Sequence, residues 1–192
     1  MHGKSARFAL AAVLAAAVVA ATTSFAGAQD IPTAKIAVLD TQKILRKSTA
    51  AAGIRDQVKQ QRAIYQDEFA RQERELRAAE EELTRQRTIL SSEAFAQKRR
   101  EFAARVSAVE RGVETRKREL DQAYGTGIKQ VERALAVIIS DLAKERGFNL
   151  VLSRTRVQSV VLYANSALNI SDEVLLRLNE RLPSVKVPLA QN

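Results

Sequence analysis

The sequence predicts an α+β fold, a long antiparallel helical hairpin (a coiled-coil arm) on a small β-sheet oligomerisation body, and three observations predict it. Residues 54–145 contain no proline, and their apolar residues recur at steps of three and four, the period of a long amphipathic helix packed on a partner. Short apolar runs lie on both sides of that stretch, Lys35–Asp40 before it and Phe148–Leu152 and Ser159–Tyr163 after it. Of the 192 residues 28% are charged and 46% hydrophobic, but only 5% are aromatic and 7 are glycine. One small domain with an extended helical element fits that balance better than two compact domains.

In chain order, Lys4 and Arg7 precede an apolar run from Phe8 to Ala21, and Ala26-Gly27-Ala28 is followed by Gln29. This is the pattern of a secretory signal peptide, residues 1–28, cleaved after Ala28, so the mature protein is expected in a bacterial periplasm or outside the cell. The run is short for a bilayer span, and no Cys stands at the cleavage point to carry a lipid. Lys35-Ile36-Ala37-Val38-Leu39-Asp40 then reads as a strand, and Asp40 or Thr41 as the cap of a helix holding Ile44 and Leu45. A polar, small stretch from Arg46 to Gly53 leads into the hairpin.

The outgoing limb, from Ile54 to Leu90, places Phe69, Leu76, Leu83 and Leu90 seven apart, with Val58, Tyr65 and Ala79 on the companion seam position. Arg62, Gln72 and Gln86 interrupt that seam. The register breaks at Ser91-Ser92-Glu93, so the tip is expected near residues 91–94, with Ser91 as N-cap of the return limb. Phe95, Phe102 and Val109, with Val106, Val113 and Leu120, begin the second seam; after a stutter at Tyr124 it continues through Ile128, Val131, Leu135, Ile138 and Leu142. Arg146-Gly147 closes this limb with a basic last turn and a glycine C-cap. Strands at residues 148–152 and 159–163 follow, then a helix capped by Ser171-Asp172-Glu173 with Val174, Leu175, Leu178 and Leu182 at helical spacing, stopped by Pro183. Residues 183–192 read as a flexible tail.

The strands carry apolar residues on both faces, so the sheet must be covered twice. Yet the body, residues 31–53 and 146–182, offers only 23 plus 37, about 60 residues, near the lower limit for an independent core. The second cover is therefore expected from other copies of the chain, through Ile36, Val38, Leu150, Leu152, Val160 and Leu162. An Asp at Val38 or Leu150 should dissociate or unfold the assembly.

Composition excludes much chemistry. There is no Cys and no Trp, and the single His and Met are His2 and Met1, both within the expected signal peptide. Thiol catalysis, disulfides and His- or Cys-built metal or haem sites are closed to the mature chain, no cofactor or metal is expected, and an enzyme is the least favoured class. Removing residues 1–28 takes away Lys4 and Arg7, leaving 29 basic against 22 acidic residues, a net charge of +7. An exported basic protein meets little nucleic acid; lipid head groups, lipopolysaccharide and acidic polypeptides are its natural counterparts.

In the order of its parts the mature chain resembles the Skp/OmpH periplasmic chaperones of Gram-negative bacteria. The parts are the K-I-A-x-x-D strand (Lys35 to Asp40), the charged hairpin, the Asn149-Leu150-Val151-Leu152 strand, the Val161 to Asn165 segment and the Ile170-Ser171-Asp172-Glu173-Val174-Leu175 helix start. The resemblance implies a homotrimer with a small β body and helical arms enclosing a cavity that holds unfolded outer-membrane proteins without ATP. No lipopolysaccharide or anionic-lipid site is carried over by position. A stronger alanine and arginine bias and the extra residues after Leu182 set this chain apart.

Within the arm, Arg85, Arg87, Lys98, Arg99, Arg100, Arg105, Arg111, Arg116, Lys117 and Arg118 face only Glu93, Glu101, Glu110 and Glu114 between residues 85 and 118, a local charge of 10 minus 4, or +6. A solvated coiled-coil surface would explain any one of them. As a cluster, Arg85, Arg87, Lys98, Arg99, Arg100 and Arg105 are the candidate client-binding residues, able to steer an acidic or amphipathic client. Glu80-Glu81-Glu82 reads as intrahelical pairing with Arg77, Arg85 or Gln86. Gly125 and Gly127, each costing about 1 kcal/mol in a helix interior, read as a packing position or a hinge. Tyr65, Tyr124 and Tyr163 read as core residues. The rival to a chaperone is a coiled-coil envelope spacer, which needs a continuous seam that Arg62, Gln72 and Gln86 deny.

Overall fold

The structure, a computed structural model, describes residues 32–154 and 161–189. The expected signal peptide and Val160 lie outside them. Strand β1 (Ile36–Leu39) is followed by helix α1 (Thr41–Lys47), the arm helices α2 (Thr49–Gln86) and α3 (Ser92–Arg146), strand β2 (Leu150–Ser153), a 3-10 turn at Ser166–Leu168 and helix α4 (Ser171–Arg181). The two strands pair in parallel, Ile36 against Leu150 through Leu39 against Ser153. A parallel pair needs a crossover, and here the crossover is the whole arm. On its other side β1 is bridged by Asn169, and Ile170 N–H donates to the Val38 carbonyl at 2.9 Å.

Local chemistry sets the element boundaries. Asp40 caps α1 by accepting from Lys43 N–H at 2.7 Å. Buried Ser48 holds an extended backbone between α1 and α2 and caps α2 by accepting from Ala51 N–H at 3.1 Å. The arm helix thus starts at Thr49, before the expected Ile54, and Gly53 lies inside it. Gly147, at φ 71°, ends α3 in the left-handed region that a residue with a Cβ enters at a cost. At 1.5 Å per residue, the 38 residues of α2 span about 57 Å and the 55 of α3 about 82 Å.

The core sits where α1, α4, β1 and the roots of the arm helices meet. Leu39, Ile44, Ile54, Leu142, Val174 and Leu178 are fully buried in one cluster with Val131 and Ile138. A fully buried aliphatic side chain of this size contributes about 1.5–3 kcal/mol. Around its rim, α4 is tied to α3 by Arg177–Glu145 (2.8 Å), Arg146–Glu173 (2.8 Å) and Arg181–Asp141 (2.9 Å), and to α1 by Lys43–Asp172 (2.6 Å).

Four sequence expectations need correction. Residues 161–163, the described part of the expected third strand, are irregular, with Leu162 97% and Tyr163 85% exposed. An apolar run forms a strand only where a partner edge is available, and beside β1 that place is taken by Asn169. Tyr163, on that irregular segment, and Tyr124, 40% exposed on α3, are not core residues, whereas Tyr65 is buried. Residues 184–189 are not a free tail either, for Val185 and Val187 are buried against the arm root. Finally, Val38 is buried within the protomer, so a charge there strikes the core before any interface.

Candidate functional site

The arm divides at Tyr65. Towards the body the seam residues Ile54, Val58, Tyr65, Leu120, Ala123, Val131, Leu135, Ile138 and Leu142 are buried. At the divide the Arg116 guanidinium lies 4.7 Å from the centre of the Tyr65 ring and 3.0 Å from Glu119, whose carboxylate also accepts from the Tyr65 hydroxyl at 3.3 Å. The Glu119 hydrogen bond, first, holds the Arg116 pKa above its ordinary value. Beyond this cluster no seam residue is fully buried; Phe69, Leu76, Leu83, Phe102 and Val109 all keep some exposed surface.

The polar interruptions of the seam explain this loosening. Gln72 lies in a cleft of about 410 Å³ floored by Phe69, Leu76, Val109 and Gly112. Gln86 lies in a second, of about 190 Å³, with Leu83 and Phe102. Arg62 lines two more, beside Tyr65 and Leu120. Gln72 donates to Glu68 at 3.4 Å and Gln86 to Glu82 at 2.7 Å on their own helix, so each turns a polar group, not an apolar one, to the seam, and burying it with its charged partner would cost more than leaving the cleft open to water. The clefts were thus legible as breaks in the heptad pattern, and most of their floor residues as the seam positions beside those breaks.

At the tip, residues 87–90 turn the chain and Ser91 caps α3 by accepting from Ala94 N–H at 3.3 Å. The turn comes earlier than residues 91–94 because Leu90 already points its N–H back to the Gln86 carbonyl at 3.0 Å. Ile89 stands 78% exposed at its apex.

The candidate basic residues do not act as one patch. Arg85 is held by Glu82 at 2.6 Å, and that hydrogen bond, with Gln86 and the Arg85 charge, keeps the Glu82 pKa low. Lys98 faces Glu101 at 3.5 Å. Arg87, Arg99, Arg100 and Arg105 are exposed and form no ion pair among the described residues. Only Lys98 and Arg105 line the clefts, Arg105 over both the larger and the smaller distal one. The Glu80–Glu82 run engages its own helix: Glu82 binds Arg85 and Gln86, and the Glu80 carbonyl accepts from Thr84.

Of the candidate body residues, Val38 is buried, Ile36 and Leu152 are half-buried, Leu150 is 44% and Leu162 97% exposed. Leu162 and Tyr163, with Leu168 and Leu176, leave apolar surface uncovered on the body. Among the described residues no group of three or more acidic or histidine side chains converges as a metal would need, and no helix is long and apolar enough to cross a membrane.

A family model described as outer membrane protein (OmpH-like) matches residues 35–178. Among solved structures, one from Caulobacter crescentus CB15, described as a candidate OmpH-like outer membrane chaperone, is similar with a TM-score of 0.74. The two share 17% identity, over 88% of this chain and 97% of that one, a likeness of fold. No curated protein matches. With the family model spanning three quarters of the sequence, the arms-on-body chain described above belongs to the OmpH-like family.

Proposed function

We propose that the protein is an ATP-independent periplasmic holdase chaperone whose arms, assembled as a homotrimer, hold unfolded outer-membrane proteins in a shared cavity and keep them from aggregating. The observation that carries this reading is the distal arm, where the exposed Arg105 lines two clefts that Phe69, Leu76, Val109, Leu83 and Phe102 also line, on the stretch that carries Arg87, Arg99 and Arg100 on its exposed surface. An unfolded barrel strand presents apolar side chains on alternate positions and often net negative charge. The clefts offer many weak apolar contacts, and Arg87, Arg99, Arg100 and Arg105 raise the encounter rate. Weak contacts release without an energy source. The apolar surface at Leu162 and Tyr163 is what a body completed by other copies would leave open in a single chain. Lipopolysaccharide or anionic lipid would meet the same arginines.

The test dilutes a denatured barrel protein into buffer with and without the mature protein and follows light scattering. Suppression at near-stoichiometric ratio is expected. Charge reversal of Arg87, Lys98, Arg99, Arg100 and Arg105 to Glu should slow capture of an acidic client at low ionic strength and leave helicity intact. Unchanged aggregation with the parent protein would reject the holdase reading and leave the envelope spacer. Equal capture rates by parent and reversed variant would reduce the arginines to a solubilising surface.

A further inference from the structure

The segment after α4 runs extended across the root of the arm, and the groove that receives it fits it at three points. Val185 and Val187 are 4% and 9% exposed, while Lys186 between them faces solvent. Residues two apart in an extended chain share a face, so both valines point into the groove. The Gln57 side-chain amide reads the main chain between them: its Nε2 donates to the Val185 carbonyl at 2.7 Å and its Oε1 accepts from Val187 N–H at 3.2 Å. Those are the two bonds that a neighbouring β-strand would make. A second bond, from Gln57 Nε2 to the Gly53 carbonyl at 3.1 Å, fixes the amide's orientation.

Gly127 supplies the third point. A Cβ at this position would lie 2.7 Å from Cγ1 of Val187 and 3.0 Å from Cδ1 of Ile54, closer than carbon atoms approach without displacement. At Gly125, by contrast, nothing lies within 4 Å. The two glycines, alike in sequence, differ in role: Gly127 keeps the seat of Val187 open.

We propose that the groove formed by Ile54, Gln57 and Gly127 is a binding site for an extended peptide segment with β-branched residues two apart, and that residues 185–187 fill it as a strap tying α2 to α3 at the root of the arm. Gln57 recognises the backbone whatever the side chains, and the space over Gly127 admits one β-branched group. Any extended segment with that alternation meets the same chemistry, so the site accepts a peptide in trans once the strap is out. This inference stands apart from the chaperone reading, since the strap and its seat belong to one chain.

The test uses the full chain. Gly127→Ala should speed exchange of the Val187 amide by about tenfold or more, as overpacking displaces the strap, while circular dichroism shows no loss of helix. Gln57→Ala, which creates no clash, should also expose that amide. In the double variant Val185→Asp, Val187→Asp the seat is emptied. A labelled synthetic peptide with the sequence of residues 183–189 should then bind it by fluorescence anisotropy, and should fail against the parent, whose seat is filled, and against the same variant carrying Gly127→Ala. Val187 exchange unchanged by both Gly127→Ala and Gln57→Ala would overturn the strap. Equal peptide binding to parent and emptied variant, or binding undiminished by Gly127→Ala, would overturn the site.

Discussion

Shortening a leucine at the root of the arm should cost several times more than shortening one in the distal seam. Leu142 has no exposed surface and belongs to the buried cluster of Ile44, Val174 and Leu178. Leu142→Ala removes apolar contacts and leaves a cavity that the surrounding helices fill only in part, a loss of about 3–4 kcal/mol. Leu83 is half-buried and lines a cleft of about 190 Å³. Its truncation forfeits only part of the transfer free energy and creates no new void, since the space beside it is already open, so about 1 kcal/mol is expected. Hydrogen exchange resolved along α2 and α3 separates the two. Leu142→Ala should accelerate exchange across the body and arm root, whereas Leu83→Ala should act only near the tip. If Leu83→Ala costs as much as Leu142→Ala, the distal seam is dry in solution, its clefts are closed, and the capture argument fails with them.

Further outcomes follow from the same geometry. Leu162→Asp, at a side chain 97% exposed in the protomer, should shift sedimentation towards smaller species with helicity unchanged, whereas Val38→Asp, 5% exposed, should unfold the body. Gly125→Ala should raise the thermal midpoint, because no atom lies within 4 Å of the new Cβ and the helix interior gains about 1 kcal/mol. The Glu145 carboxylate is held below its ordinary pKa by Arg177, and that of Asp172 by Lys43. A depressed folded pKa stabilises above the unfolded value and is lost as pH falls through the folded one. Docking of α4 should therefore loosen only below about pH 4, more weakly in high salt, as followed by amide exchange over residues 171–181.

How much of this was legible depends on whether one residue or two distant ones carried the information. The arm could be read from periodicity and the absence of proline, because a helix is specified by neighbours three and four apart. The left-handed end at Gly147 was readable for the same reason: the cap is local. The strap was not, since Val185-Lys186-Val187 beside two prolines is a frayed end by composition, and only contact with Gly127 and Gln57 more than 50 residues away gives it a place. The third strand failed in the opposite direction. The run through Val161, Leu162 and Tyr163 has β character, but a strand exists only when an edge receives it, and the local pattern says nothing of the edge.

Arg62, Gln72 and Gln86 show how a defect in one level of the sequence becomes a feature at the next. As seam residues they weaken the hairpin, because polar groups at such positions cost stability unless solvated or paired. That same cost locates the clefts, for each cleft lining includes one of the three. Nearer the body, past the clefts that Arg62 lines, the chain counteracts the loosening: Ile54, Val131, Leu135, Ile138 and Leu142 are buried, and Val187 packs where Gly127 and Ile54 meet. An arm built in this way has a buried root and a distal half whose seam residues keep exposed surface. On the holdase reading proposed above, the two halves have different tasks, the first to hold geometry and the second to present apolar surface that its own partner helix does not cover. Replacing Gln72 and Gln86 together by Leu therefore sets stability against capture. The variant should melt at higher temperature as the distal seam closes, and it should lose holdase activity in the light-scattering assay. A stabilised arm that suppresses aggregation as well as the parent would show that the clefts take no part in binding.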